Sequence, residues 1–467
     1  MQNSGMRLLR ALLLLSLGSA FCVQGASAKQ LSLAGAIALA KEQNPEILIA
    51  RKQVEAARGG RIEARSGYLP SVSSSGLLRK RAEQEQSRLR SDDYNAQIRV
   101  QQNLYSGGAV KARNAMARLL EEKRQLELEA VTDRVLMDLR VSYYEALLNR
   151  SKIDVREQSV RVMRDELKAQ KERFVAGTVG EINVRRAQVS LANEEPELYQ
   201  AQTNLQNSYL RLSEVCGLTS GKRASVALVQ ATDRLRYQPL HPDLNECLAY
   251  ASLHRPEVRS REIDVEIEEQ QLIIDQSEQK PHVEVFSGYE VYSERDPEIG
   301  PEFNHGYVVG LNASWHIFDG HATQGRMIAT RARREAAQAA LEAAQMSVQS
   351  DVRSAFFDLQ QADRVLESET RNVENASETL DLARGNLSAG LGTQLDVLQA
   401  TSDITRTRTT RLSAIYLHNA ALARLARACA RQPEELGFAS KMTGADEAKR
   451  HAQVFDVARP PNELNAR

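Results

Sequence analysis

Apolar side chains recur every three or four residues along two very long stretches, about residues 107–174 and 320–387. In the first stretch they fall at Leu128, Val131, Val135, Leu139, Tyr143 and Leu147. In the second they fall at Leu341, Val348, Val352 and Phe356. This spacing lines one face of an α-helix. Proline interrupts neither stretch, so each is predicted to be one helix, roughly 100 Å long at about 1.5 Å per residue.

The two stretches are copies of each other, displaced by 213 positions. Tyr105-Ser106-Gly107 corresponds to Phe318-Asp319-Gly320, and Cys216 corresponds to Cys429. An internal repeat determines the architecture before any local detail. It predicts two equivalent halves, residues 29–216 and 245–431, joined by a linker at residues 217–244.

Shorter helices accompany each long one. They are predicted at about residues 45–69, 181–216, 256–280 and 394–430. Pro45 and Pro256 stand at the first turns of two of them, where proline is favoured. Pro196 lies inside another and predicts a kink or a break there.

A pattern of period two predicts a pair of strands in each half, within about residues 71–105 and 282–318. Ile98, Val100 and Leu104 alternate with polar residues, and Val309 and Leu311 do the same in the second half. Each strand is about ten residues, the length that crosses an outer-membrane bilayer. The polar segments 81–93 and 293–304 connect the paired strands.

Composition narrows the class of protein. The 61 basic and 61 acidic residues balance, which gives no indication of nucleic-acid binding. Charged residues make up 26% and aromatic residues 5% of the chain, as suits long, solvated helices. No stretch after residue 28 is apolar enough for a transmembrane helix, so any membrane crossing is expected to use the strands.

The chain ends carry their own signals. Residues 1–28 are predicted to be a secretory signal peptide, with basic Arg7 and Arg10, an apolar run and a small-residue cleavage site. Lipidation of Cys22 is the alternative at this end. The tail at residues 432–467 is expected to be partly disordered. Three cysteines follow the predicted signal peptide, Cys216, Cys247 and Cys429, so at least one thiol is expected to be free or to pair between chains. Cys216 and Cys429, at equivalent repeat positions near helix ends, are interpreted as small buried hydrophobic residues.

Four strands leave unpaired edges, which are costly in hydrocarbon, so closure requires several chains. Three copies supply twelve strands, enough for a barrel that holds a pore. The predicted fold is therefore mostly α-helical, with a duplicated helix–strand–strand–long helix–turn–helix unit. A homotrimer would form a 12-stranded membrane β-barrel continued by a long α-helical tunnel.

The sequence resembles the TolC family of outer-membrane efflux proteins over about residues 30–431. The resemblance rests on the doubled unit, on Asn44-Pro45-Glu46 and Arg255-Pro256-Glu257, on the glycines that follow the strands, and on the run from Gly390 to Ala400. It implies a homotrimeric channel-tunnel in the outer membrane of a Gram-negative bacterium, with a periplasmic extension. Such a duct passes substrates in tripartite efflux or type I secretion, with a periplasmic adaptor (a membrane fusion protein) and an inner-membrane RND or ABC transporter as partners.

The resemblance also assigns candidate sites. The turns between the long and returning helices are expected to be adaptor-docking tips, at Gly177, Thr178, Gly180, Gly390, Gly392 and Thr393. Asp396 matches the first of two aspartates that ring the family's periplasmic aperture, and Gln399 stands at the second. Asn183, Leu387 and Gly392 replace the residues that latch the aperture elsewhere in the family. The alternative for Asp396 is a solvated carboxylate at a helix start, where acids are favoured.

Other chemistry finds little support in the sequence. The eight histidines form no metal-binding spacing with one another or with cysteine, and no glycine-rich phosphate loop follows a strand. We therefore expect no enzyme activity, no cofactor and no metal site. The rival interpretations are a periplasmic structural or adaptor coiled coil without a pore, and a trimeric surface adhesin. The two matched pairs of strands argue against both.

Overall fold

The computed structural model describes residues 29–80, 92–218, 228–293 and 303–433. The predicted signal peptide with Cys22, the interstrand segments, part of the linker and nearly all of the tail lie outside the described residues. Within the described ranges the first half contains β1 (Lys29–Leu31), α1 (Leu33–Gln43), α2 (Pro45–Ser66), β2 (Ser71–Lys80), β3 (Asp92–Ser106), α3 (Ala109–Val175) and α4 (Glu181–Val215). The linker contains β4 (Val229–Ala231). The second half contains α5 (Leu244–His254), α6 (Pro256–Ser277), β5 (His282–Ser293), β6 (Phe303–Ser314), α7 (Ala322–Ser388) and α8 (Gln394–Ala428).

The predicted duplication is confirmed, down to the lengths of the helices. The long helices α3 and α7 both have 67 residues, and the returning helices α4 and α8 both have 35. Helices α2 and α6 both have 22 residues, and α1 and α5 both have 11. The apolar stripe of α3 is buried at Leu128, Val135, Leu139, Tyr143 and Leu147.

The short helices α1 and α5 begin in the same way. The Ser32 hydroxyl accepts a hydrogen bond from the Gly35 amide at 3.3 Å, and the Asp243 carboxylate accepts one from the Glu246 amide at 2.9 Å. Both side chains satisfy donors that a helix start leaves unpaired. The apolar periodicity predicted neither α1 nor α5 as a separate helix, nor the two short strands β1 and β4, which pair in parallel.

Four strands form one antiparallel sheet in the order β2-β3-β5-β6. The two halves of the sequence meet at the centre of this sheet, where β3 pairs with β5. Strands β2 and β6 are its edges, and large apolar side chains on both are exposed, among them Val72, Leu78, Val309 and Leu311. The sheet within this chain is therefore open and carries solvent-facing apolar residues.

Two sequence expectations were wrong in detail. Strand β6 ends at Ser314 instead of reaching Phe318. The Trp315 indole donates to the Gln279 carbonyl at 3.0 Å, and Asp319 caps the next helix by accepting from the Thr323 amide at 2.7 Å. The sequence predicted a kink or a break at Pro196; the break does not occur, since α4 is one helix through this residue. Pro196 and Ala192 are exposed, so water can reach the carbonyl that proline leaves without an amide partner.

The chain divides into two compact units, each drawing on both halves of the sequence. Within the described residues, one comprises residues 29–44, 142–218, 228–235 and 380–409, and the other comprises the remaining described segments. In the first, the Tyr143 hydroxyl oxygen lies 2.7 Å from Asp233 Oδ2 and 3.1 Å from the Leu31 carbonyl oxygen. In the second, an apolar core forms among α5, α6, α7 and α8. None of the described helices offers an apolar stretch long enough to cross a bilayer.

Candidate functional site

The two interhelical turns expected to be functional close their long helices with the same motif. After α3, the Gly177 amide donates to the Phe174 carbonyl at 2.9 Å, and the Thr178 amide donates to the Arg173 carbonyl at 2.9 Å. After α7, the Gly390 amide donates to Leu387 at 3.2 Å, and the Leu391 amide to Asn386 at 2.8 Å. This bonding pattern is a Schellman motif, which requires a left-handed residue after the helix.

Glycine meets that requirement in both turns, with φ of +72° at Gly177 and +76° at Gly390. No heavy atom lies within 4 Å of the position that a Cβ would take at either residue. A side chain there would strain the backbone but would strike nothing within the chain. At each glycine, therefore, the left-handed backbone conformation favours glycine, and the space beside its Cα is empty within this chain.

The helices that follow the two turns start differently. Gly180 is the N-cap residue of α4 and supplies no side-chain hydrogen bond to the helix. The Asn183 amide donates to the Gly180 carbonyl at 3.1 Å. Helix α8 has a reciprocal cap: the Thr393 amide donates to Asp396 Oδ2 at 2.8 Å, and the Asp396 amide donates to the Thr393 hydroxyl at 3.3 Å. This is a capping box with aspartate at the third helical position.

The capping box keeps Asp396 charged. The Thr393 amide, and then its hydroxyl, hold the pKa of the Asp396 carboxyl below its usual range. The side chain is exposed, as is that of Gln399 one turn later. Gln399 Nε2 lies 3.3 Å from Asp403 Oδ2, and Asp403 pairs with Arg406 at 3.0 Å. Asp396 thus acts as an exposed carboxylate at a helix start, which was the alternative interpretation of this residue. The exposed side chain of Gln399 lies on the same helix.

The chain places each predicted site residue in a turn or in the first turns of a returning helix. The Asp396 carboxylate accepts hydrogen bonds from Thr393, and the Gln399 side chain donates to Asp403. These hydrogen bonds do not involve Asn183. Asn183 is half-buried. The grouping of Asp396, Gln399 and Asn183 into one aperture therefore stays a prediction.

Sequence reasoning missed the apolar surface around the turns. Val175 is 87% exposed and Leu391 is 83% exposed, and other large apolar side chains beside the turns are exposed too: Phe174, Ile182 and Leu395. The sequence did carry a signal for this surface, because large apolar residues at Phe174, Val175 and Leu391 stand beside the glycines of the turns. Both turns are thus flanked by exposed apolar side chains.

No group of three or more histidine, cysteine or acidic side chains that could hold a metal ion occurs among the residues that the structure describes. The candidate site instead consists of two glycine turns with the same hydrogen bonding, exposed apolar side chains beside them and carboxylates on α8.

Known proteins with the same construction were found by sequence and by structure. Residues 36–218 and 248–431 match the family model described as outer membrane efflux protein. The cobalt-zinc-cadmium resistance protein CzcC of Cupriavidus metallidurans is 24% identical over 293 residues, covering 63% of this chain and 65% of CzcC. The matched region thus spans just under two thirds of that relative.

Solved structures share the fold. The Campylobacter jejuni CmeC outer membrane channel aligns with a TM-score of 0.73 and 14% identity, over 90% of this chain and 89% of that chain. The outer membrane protein VceC from Vibrio cholerae aligns with a TM-score of 0.71 and 17% identity, over 85% of this chain and 95% of that chain.

Proposed function

This chain belongs to the outer membrane efflux protein family, and on that premise we propose that three copies of it form a continuous exit duct. The duct would carry substrates from an inner-membrane pump across the periplasm and the outer membrane. Its lipid-embedded part would be a barrel made from the four-stranded sheets, and the long helices would form the tunnel.

The open sheet supports this proposal more than any other single observation. Its edge strands β2 and β6 have unpaired backbone groups on one side, and apolar side chains on both are exposed. Backbone groups left unpaired in hydrocarbon cost several kcal/mol each, so a membrane sheet needs closed edges. Pairing β2 of one copy with β6 of the next removes every edge, and three copies give the twelve strands of a barrel.

The turns support docking of a periplasmic adaptor. Gly177, Thr178 and Gly180 in one turn, and Gly390, Gly392 and Thr393 in the other, would present a fixed backbone surface ringed by exposed apolar side chains. Helical hairpins of a membrane fusion protein would bury the apolar rim there. An inner-membrane RND or ABC transporter would complete the assembly.

The aperture would lie just behind these turns. Threefold symmetry would bring three Asp396 carboxylates around one axis, with Gln399 adding an uncharged ring and Asn183 contributing from α4. A ring of carboxylates favours cations in a narrow constriction. The capping box leaves one oxygen of Asp396, Oδ1, outside the bonds to Thr393, so the two roles are compatible.

The cargo class is the least constrained part of the proposal. CzcC is named for resistance to cobalt, zinc and cadmium, which makes divalent metal ions the first cargo to test. A tube of this kind needs no resident metal site, because transported ions pass through water.

Planar-bilayer recording of the purified protein tests the duct. We expect single-channel conductance that prefers cations, and heat-resistant oligomers in isolated outer membranes. A protein that fractionates with the soluble periplasm and gives no conductance would contradict the duct and favour a structural coiled coil.

A further inference from the structure

Two cysteines that are far apart in the sequence meet in one buried cluster. Cys247 on α5 is 2% exposed and Cys429, directly after α8, is 0% exposed, and both belong to the apolar core among α5 to α8. Both thiols are free in this structure. The interaction between them lowers the pKa of Cys247 and raises that of Cys429.

Polar contacts on both sides hold the two helices in this register. Arg431 pairs with Glu246 at 2.8 Å and lies over the Tyr250 ring at 4.0 Å. The Arg255 guanidinium donates to the Arg427 carbonyl at 3.1 Å. Residues next to Cys247 in the sequence are thus bound to residues next to Cys429, so the proximity of the thiols is set by the surrounding structure.

The first repeat supplies an internal comparison. Cys216 occupies the position equivalent to Cys429, while Ala36, the fourth residue of α1, stands where Cys247 is the fourth residue of α5. Cys216 is buried, and burial raises its pKa to about 11. The first repeat therefore has one buried thiol at the place where the second repeat has two in the same core cluster.

We propose that Cys247 and Cys429 form a disulfide bond in the mature protein, which ties α5 to the end of α8. In the proposed duct this part of the chain lies in the periplasm, a compartment in which disulfides form and persist. Because both thiols are buried in the folded chain, oxidation would take place during folding, before the core closes. The bond would join segments at opposite ends of the second repeat.

The chemistry balances through thiol–disulfide exchange. The Cys247 thiolate attacks the disulfide of a periplasmic protein oxidant, forming a mixed disulfide and releasing one oxidant thiolate. The Cys429 thiolate then attacks the Cys247 sulfur and displaces the second oxidant sulfur. One S–S bond forms in this chain and one breaks in the oxidant, which takes up two electrons and the two thiol protons.

Peptide mapping of protein purified from outer membranes tests the proposal. The protein is denatured in an alkylating agent without reductant, digested, and analysed by mass spectrometry. We expect one linked peptide containing Cys247 and Cys429, together with an alkylated Cys216. Recovery of Cys247 and Cys429 as separate alkylated peptides would overturn the proposal.

Matched variants give a second readout that does not depend on transport. Reductant should lower the melting temperature of the wild type and of Cys216→Ala to the same extent, and should leave Cys247→Ala unchanged. Equal responses from all three proteins would contradict the disulfide. A failure of the duct proposal would show in conductance and would leave these results unaffected.

Discussion

Replacement of Gly217 by alanine should destabilise the chain far more than the same replacement at another left-handed glycine. Gly217 ends α4 with φ of +79°, and its amide donates to the Glu214 carbonyl at 2.8 Å. A Cβ at Gly217 would lie 2.3 Å from the carbonyl oxygen of Gln43, at the joint between α1 and α2. Asn44 Nδ2 fixes that joint by donating to the Val215 carbonyl at 2.8 Å.

The magnitude has two parts. A left-handed conformation costs an ordinary residue about 1–2 kcal/mol. The clash is with backbone rather than with a flexible side chain, and overpacking of this kind typically adds about 1–3 kcal/mol. Gly217→Ala should therefore lose roughly 2–5 kcal/mol in all. Gly177→Ala is the matched control, since its φ is +72° but no atom lies within 4 Å of its Cβ position.

The opposite substitution, alanine to glycine, can be made at the equivalent position of the second repeat. Ala430 occupies the position equivalent to Gly217 and has φ of +54°. Ala430→Gly relieves about 1–2 kcal/mol of backbone strain. It also removes a buried methyl group worth about 0.8 kcal/mol and adds unfolded-state entropy worth about 0.4–1 kcal/mol. Its net effect should lie within about 1 kcal/mol of zero.

Denaturant unfolding of the detergent-purified proteins, followed by circular dichroism, measures these differences. The midpoint should fall most for Gly217→Ala, less for Gly177→Ala, and little for Ala430→Gly. Equal losses for Gly217→Ala and Gly177→Ala would refute the reasoning, because the contact with Gln43 is what separates them.

Three further predictions concern the turns, the aperture and a buried hydroxyl. Gly177→Val and Gly390→Val should impair export while the assembled protein stays in the membrane, measured by efflux and fractionation; wild-type efflux would count against docking at the turns. Asp396→Ala should lower cation selectivity in bilayer recordings, and an unchanged reversal potential would remove Asp396 from the aperture. Because the folded pKa of Asp396 is lowered from 3.8, its stabilising contribution is present above pH 3.8 and is lost as the pH falls through the folded value. Tyr143→Phe should lose about 1–2 kcal/mol in unfolding experiments, since Asp233 loses a hydroxyl donor; no loss would contradict that bond's role.

Periodicity made most of the fold predictable. The long helices were identified because the three- and four-residue spacing of apolar residues is sustained over several successive turns in each copy. Burial of Leu139 and Val352 confirms the apolar stripe. Alternation identified the strands, but it continued through Ile317 and Phe318, beyond the end of β6. An alternating pattern in one strand does not show where that strand ends, because the end depends on how far the partner strand continues to pair with it.

Features created by distant contacts were beyond sequence reasoning. The 11-residue helices α1 and α5 are too short to show a distinct period. Strands β1 and β4 have three residues each and are separated by almost two hundred positions. The proximity of Cys247 to Cys429 depends on the packing of α5 against α8, and the sequence offered only the equivalence of Cys429 with Cys216.

Native mass measurement of the detergent-solubilised protein tests the central proposal most directly. The open sheet in each chain predicts a complex of three copies that retains its full strand content by circular dichroism. A stable, folded monomer with the same strand content would show that the four strands do not need partners from other chains, and it would contradict the duct.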